Sequence, residues 1–260
     1  MPTIPLYQLD AFTDRPFAGN PAAVCPLDAW LPDDVMQSIA FENNLSETAF
    51  YVPDGDGYRL RWFTPAVEVP LCGHATLATA SLILDKLQPD RASVAFETLS
   101  GRLTVTREGD LLVMDFPSLP ANEMPLPEGF ADAIGVTPVK FLRAVKNMAV
   151  LKDETAVRAA TPDFAYIRNM QGMGLIITAP GDSTDCASRY FAPHAGIDED
   201  PVTGSAHCTI VPYWADRLGK TEIHARQVSK RSGDLYCRLA GDRVLIGGKA
   251  RLVIEGTFSL

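Results

Sequence analysis

Apolar and polar residues alternate in short runs along most of this chain, and only a few stretches keep a helical spacing. Alternation over about four to eight residues marks half-buried strands, whereas apolar positions three and four apart mark helices. Residues 7–12 therefore read as an opening strand and residues 22–25 as a second, entered through the turn signal Gly19-Asn20-Pro21. Residues 33–42 have helical spacing, with Val35, Ile39 and Ala40 on one face. Residues 49–52 and 58–63 are strands about the turn Asp54-Gly55-Asp56-Gly57, and the Ala- and Leu-rich residues 76–87 form a helix. Residues 93–97, 103–107 and 111–116 follow as an antiparallel meander. In the second half, residues 148–151, 175–178 and 188–191 are strands, and residues 206–218 form a helix stopped by Gly219. Strands at 223–227, 235–239, 243–246 and 251–254 close the chain.

Two features organise these elements. Pro117, Pro120, Pro125 and Pro127 fall within one short stretch, which suits a linker better than a strand or helix. The expected domains are residues 1–116 and 128–260, with the last strands free to return to the first. The second feature is an internal repeat. Glu68-Val69-Pro70-Leu71-Cys72-Gly73-His74-Ala75 and Glu199-Asp200-Pro201-Val202-Thr203-Gly204-Ser205-Ala206 share Glu, Pro, Gly and Ala at the same offsets. Each copy runs from a proline-bearing loop through a small-residue turn into a helix, one in each half.

Composition narrows the function classes. With 23 Lys and Arg against 32 Asp and Glu, the formal charge of −9 lacks the basic field of a nucleic-acid-binding surface. The apolar runs fall well short of the roughly 20 residues that a membrane span needs. Five widely spread cysteines without a CxxC pair give neither a disulfide framework nor a zinc ribbon. The opening MPTIPLYQLDAF has no basic region followed by an apolar run. The expectation is a reduced, cytoplasmic protein with no nucleic-acid or membrane partner.

The repeated turns supply the candidate chemistry. A helix N-terminus offers unpaired N–H groups and partial positive charge, and Gly73 and Gly204 allow close backbone approach, so two such termini suit a small carboxylate. The plainer alternative is that the small residues only pack helices closely. His74 is either a locally bonded helix-start histidine or a general acid or base. Asp200 stands in Asp198-Glu199-Asp200, which is either solvated capping or a group that faces His74. Glu47, where a helix runs into an apolar strand, faces water or a cleft wall. HExxH, GxGxxG, GxSxG and GxxxxGK[ST] are all absent. His207 and Cys208 are adjacent rather than at metal-ligand spacing, and no lysine context favours pyridoxal phosphate, so no metal and no cofactor is expected.

With these residues in view, the chain resembles the PhzF family, the phenazine-biosynthesis-like isomerases, and more distantly diaminopimelate epimerase and proline racemase. The carrying runs are Asp10-Ala11-Phe12-Thr13, Phe17-Ala18-Gly19-Asn20-Pro21-Ala22-Ala23-Val24, Leu45-Ser46-Glu47-Thr48-Ala49-Phe50, Phe63-Thr64-Pro65 and Arg189-Tyr190-Phe191-Ala192-Pro193, together with both copies of the repeat. The resemblance implies an α+β fold of two similar domains, each a curved mixed or antiparallel sheet around a central helix, with the active site between them. It implies a cofactor-independent isomerase that moves a proton on a small, cyclic or open carboxylate. The family's catalytic glutamate, histidine and aspartate fall on Glu47, His74 and Asp200. Asn20, Gly73, Gly204 and Ser205 fall in the substrate-binding set. A homodimer is compatible with it. The distant epimerases use two opposed cysteines; Cys72 matches the first, but Thr203 stands at the second, which disfavours a two-thiol racemase and leaves Cys72 as a small buried residue. An epimerase or racemase of a modified amino acid and a non-catalytic binding protein are the other readings.

Overall fold

The computed structural model describes residues 3–260; residues 1 and 2 of the expected first domain lie outside it. The chain divides into two compact units: one runs to Asp115 and takes up Gly247–Leu260, and the other is Phe116–Ile246.

The first unit begins with β1 (Thr3–Ala11), β2 (Asn20–Pro26), α1 (Asp33–Asn43), β3 (Glu47–Asp54), β4 (Gly57–Phe63), β5 (Glu68–Val69) and α2 (Gly73–Ser81). It continues with β6 (Ser93–Thr98), β7 (Gly101–Glu108) and β8 (Leu111–Pro117). The second unit follows with β9 (Asn122–Met124), α3 (Phe130–Ile134), β10 (Lys140–Arg143), β11 (Asn147–Val150), α4 (Glu154–Ala159), α5 (Phe164–Arg168), β12 (Leu175–Pro180) and β13 (Cys186–Ala192). Then come β14 (Ile197–Asp200), α6 (Gly204–Leu218), β15 (Glu222–Gln227), β16 (Gly233–Ala240) and β17 (Arg243–Gly248), after which β18 (Ala250–Ser259) rejoins the first unit. That return follows from pairing: β18 lies antiparallel to β1 from Thr3↔Ser259 to Ala11↔Ala250.

In the first unit β1 pairs antiparallel with β2, β2 parallel with β3, and β3 antiparallel with β4. The sheet then continues parallel to β6 and through the antiparallel β6–β7–β8 meander. The central strands β2 and β3 are almost continuously buried, as strands covered on both faces must be. One cover is α2, which packs on β1, β2, β3 and β18. Its sequence GHATLATAS is buried from His74 to Ser81, and such small residues let a helix sit inside a curved sheet. The buried Thr76 and Thr79 hydroxyls donate to the Cys72 and Ala75 carbonyls at 2.6 and 2.7 Å, so burying them leaves no orphan donor. The other cover is α1, whose Met36, Ile39 and Ala40 pack with Cys25, Phe50 and Phe63 while Val35 is only partly buried. The expected helix over 76–87 divides: α2 starts earlier, at Gly73, and Leu82–Leu87 continue it as a π-helical segment.

The second unit repeats the plan. β11 runs parallel to β12, β12 antiparallel to β13, and β13 parallel to β15. α6 lies on β15 and β16, and its Trp214 indole N–H donates to the Thr178 hydroxyl at 2.9 Å. On the other side Phe130, Ile134, Val157 and Ile167 of α3, α4 and α5 pack with Phe141, Leu175, Ile177 and Phe191. These three helices are too short to show an apolar period, and so the sequence pattern does not reveal them. The proline-rich stretch expected as a linker lies within the second unit and carries β9, which pairs with β10.

Two positions generate predictions. Gly19 has φ +63°, and a Cβ there would stand 2.1 Å from the Ala11 carbonyl oxygen. Gly19→Ala should therefore cost at least about 2 kcal/mol of unfolding free energy by denaturant titration, combining left-handed strain with a backbone clash. His207 in α6 is fully buried; its Nδ1 bonds the Thr203 carbonyl at 2.8 Å, so Nδ1 carries the proton and Nε2 has no partner among the described residues. Burial pushes its pKa down to about 4. A depressed folded pKa means the unfolded chain binds the proton first as pH falls. Stability should then drop by up to about 3 kcal/mol between about pH 6.5 and pH 4 on account of this residue. His207→Gln should flatten that part of the stability–pH curve.

Candidate active site

In the first unit, Glu47 opens β3 and His74 lies in the first turn of α2. Both are largely buried, at 9% and 6% exposure. The Glu47 Oε2 stands 3.1 Å from His74 Nε2. The other ring nitrogen, Nδ1, has the Asn20 amide nitrogen at 3.2 Å and the Cys72 Sγ at 3.5 Å. Asn20 heads β2, next in sequence to Gly19, so the tight turn delivers the amide to the imidazole. Burial alone would push the His74 pKa down; the Cys72 thiol and the Glu47 carboxylate together outweigh it and raise it well above 6.5. The Cys72 thiol is itself pushed up to about 11 by burial.

Glu47, Cys72 and His74 have ligand atoms within 4.8 Å of one another, a donor set suited to zinc. The sulfur and the carboxylate oxygen, however, approach opposite ring nitrogens. The arrangement is that of a carboxylate–imidazole pair steadied from behind.

In the second unit, Asp200 ends β14 and Thr203 precedes α6. The Thr203 hydroxyl donates to Asp200 Oδ2 at 2.5 Å. Gln227, fully buried at the end of β15, locks the turn: its Oε1 accepts the Thr203 N–H at 2.9 Å and its amide donates to the Asp200 carbonyl at 2.5 Å. Gly204 is buried and Ser205 half-buried in the first turn of α6. Neither α2 nor α6 has a side-chain cap hydrogen bond, so each leaves first-turn N–H groups for a ligand. At α6 the natural cap, Thr203, is spent on Asp200.

The structure thus brings Asn20, Glu47, Gly73 and His74 together in one unit, and Asp200, Gly204 and Ser205 in the other. Sequence reasoning missed Gln227, a lone polar residue in an alternating strand, because nothing local marks it as buried. It also missed how deep the repeat goes. Arg61 forks onto Glu68 with two bonds of 2.7 Å, and Arg189 forks onto Glu199 at 2.7 and 2.9 Å. Each arginine also stacks over the phenylalanine two residues on, Phe63 at 5.1 Å and Phe191 at 4.9 Å. Register agrees: Trp62 faces Val69 as Tyr190 faces Asp200. The repeat is therefore structural, and it pairs Gly73 with Gly204 and His74 with Ser205.

The chain is similar to known proteins along nearly its whole length. The sequence profile of the phenazine biosynthesis-like proteins matches residues 9–256. An uncharacterised isomerase of Pseudomonas aeruginosa is 51% identical over 255 residues, covering 98% of each chain. The crystal structure of a PhzF-family phenazine biosynthesis protein from Enterococcus faecalis is 45% identical and superposes with a TM-score of 0.98 over the whole of both chains. A predicted epimerase of Pseudomonas aeruginosa, 21% identical, shares the fold with a TM-score of 0.73 over 98% of this chain and 99% of its own. The fold is that of the diaminopimelate epimerase-like proteins, and the chain belongs to the phenazine biosynthesis-like, or PhzC–PhzF, family.

Proposed function

We propose that the protein is a cofactor-independent isomerase that moves a proton on a small carboxylate, with Glu47 as both acid and base. The observation that carries this reading is the buried Glu47–His74 pair at 3.1 Å. His74 engages Oε2 of the carboxylate, while Oε1 makes no hydrogen bond among the described residues. That oxygen takes a proton from a carbon acidified by conjugation, breaking the C–H bond and leaving the electron pair delocalised in the substrate. The same carboxyl group then returns the proton to another carbon on that face. His74, kept charged, holds Glu47 in place, and the open first turn of α2 at Gly73 offers its N–H groups to the negative charge that develops on the substrate. Asn20 fixes the ring from behind. Asp200, Ser205 and the first turn of α6 at Gly204 are proposed as the second unit's binding groups.

The names of the relatives, uncharacterised isomerases at 51% and 50% identity, support the reaction class. Against a two-thiol epimerase stands the pair Cys72 and Thr203: burial pushes one thiol up to about 11, and the matching position holds a hydroxyl bonded to Asp200. The proposal includes a cytoplasmic homodimer; no helix of the described residues is long and apolar enough to cross a membrane.

The direct test is proton exchange. Small conjugated carboxylates are incubated with the protein in deuterated water, and deuterium at carbon is followed by NMR. Glu47→Gln should slow exchange by about 10²–10⁴-fold, whereas Cys72→Ala should keep it within about threefold. Absence of Glu47-dependent exchange on every carboxylate tried, or a Cys72→Ala loss as large as that of Glu47→Gln, overturns the assignment. Independently, the His74 Cε1–H signal should titrate well above pH 6.5 in the native protein. In Glu47→Gln, which removes one of the two groups that raise it, it should titrate lower. A raised folded pKa means that this pair stabilises the fold fully below about pH 6.5 and loses that contribution as pH rises through the folded value.

A further inference from the structure

The second unit holds a lysine that the proton-transfer reading does not use. Lys146 is only 7% exposed. Lysines are almost never buried to this extent without a carboxylate partner, yet no carboxylate lies within ion-pair distance of its Nζ among the described residues. What surrounds the ammonium is the Tyr190 ring, with its centroid 5.8 Å away, and Tyr190 faces Asp200 across β13 and β14. Asp200 and Cys208 act on the ammonium only through space, and burial outweighs them to lower its pKa. Asp200 Oδ2 accepts the Thr203 hydroxyl.

The repeat says where this lysine stands. Phe63 pairs with Thr48 and Phe191 with Leu175, so Glu47 of the first unit corresponds to Gly174 of the second. On the adjoining parallel strand Ala22 pairs with Glu47, and the residue that corresponds to Ala22 is Lys146, just before the Asn147↔Leu175 pair. Gly174 has φ +98°, and a Cβ there would stand 2.8 Å from the Tyr190 hydroxyl and 2.5 Å from the Phe191 carbonyl oxygen. At the position where the first unit has its proton-transfer carboxylate, the second therefore has no side chain, with a buried cation on the neighbouring strand. A cation so placed, short of a counter-ion inside the protein, is half of an ion pair whose other half is a ligand.

We propose that Lys146 is the anion-binding residue of the second unit and holds a carboxylate of the substrate through its ammonium group. The assignment deepens the carboxylate-isomerase reading and rests on it. It adds a fixed positive charge to a set of groups that otherwise offers only backbone N–H and hydroxyl donors.

Benzoate and its neutral isostere benzamide are the probes, titrated by calorimetry against native protein, Lys146→Met and Lys146→Arg. Native protein should prefer benzoate at least tenfold. Lys146→Met should lose that preference while keeping its affinity for benzamide and its melting temperature, because a neutral side chain of similar length removes an unpaired buried charge. Lys146→Arg should keep most of the preference. In the native protein, saturating benzoate should shield Lys146 from acetylation by acetic anhydride, read by peptide mass spectrometry; this arm stands even if a variant fails to fold. An unchanged benzoate preference in Lys146→Met, no benzoate binding to native protein, or no shielding overturns the proposal. Glu47→Gln separates the two readings: it should abolish carbon exchange yet bind benzoate like the native protein, so loss of the isomerase reading would appear in exchange and loss of the lysine assignment in binding.

Discussion

The arginine–glutamate fork is the constraint on which each unit's site depends. Arg61 and Arg189 sit on sheet strands, while Glu68 and Glu199 sit on the short strands that lead into α2 and α6. Two parallel N–H···O bonds fix both the separation and the plane of the partners, which a lysine at the same place could not do. The side chains are 21% and 26% exposed in one fork, and Arg189 and Glu199 are 13% and 24% exposed in the other, so water screens them only partly. Each fork is worth on the order of 1–3 kcal/mol. Its larger effect is positional. Stacking on Phe63 or Phe191 pins the guanidinium, the guanidinium pins the glutamate, and five residues later the helix starts at a fixed height over the sheet. His74 and Ser205 inherit their places from that chain of contacts.

The two units use one frame for different chemistry. Where the first carries Glu47, Cys72 and His74, the second carries Gly174, Thr203 and Ser205; where the first has the apolar Ala22 and Val69, the second has Lys146 and Asp200. The exchange is systematic. The carboxylate, thiol and imidazole of the first unit have no counterpart at the matching positions of the second, which gains hydroxyl donors there and a buried lysine and aspartate on the neighbouring strands. Such a division is physically sensible. A proton-transfer group must be held by close neighbours, as His74 holds Glu47 at 3.1 Å, while binding groups work best when nothing nearby competes for the ligand.

How much of this was legible in the sequence depended on range. Strands such as β4 and β7, with alternating burial, and the long α6 could be read locally, because the chain itself carries the period. The helix-start turns are visible as a repeat of four residues in eight positions, and Glu47, His74 and Asp200 stand as open candidates to which the family resemblance gives a catalytic role. The Arg61–Glu68 and Arg189–Glu199 forks were not legible, although all four residues stand in plain view, because pairing depends on strand register. Lys146 was no more readable. A lysine beside an asparagine suits a solvated edge as well as a buried wall, and only the fold decides that Tyr190 covers it. Gln227 acts on Asp200 across 27 positions of sequence. The run Asp198-Glu199-Asp200 reads either as solvated capping or as holding an inward acid, and its members part ways: Glu199 takes Arg189, and Asp200 turns inward to 9% exposure.

The fate of the helix cap follows from the same division. Threonine before a helix ordinarily spends its hydroxyl on the first-turn N–H groups. Thr203 instead donates to Asp200, and Gln227 holds it there by taking its backbone N–H. Ordinary capping would be worth about 1 kcal/mol and would close the turn to any anion. By giving it up, the second unit keeps both the N–H groups of Gly204 and Ser205 and the ammonium of Lys146 unsatisfied within one unit. In the first unit the same position is Cys72, a poor cap by nature, and its sulfur lies against His74. Two different residues thus reach the same end: a helix start left open, and a neighbouring polar group steadied in exchange. An open cap in one unit would be unremarkable; the loss of the cap by unrelated means in both argues that the openness itself is what the fold preserves.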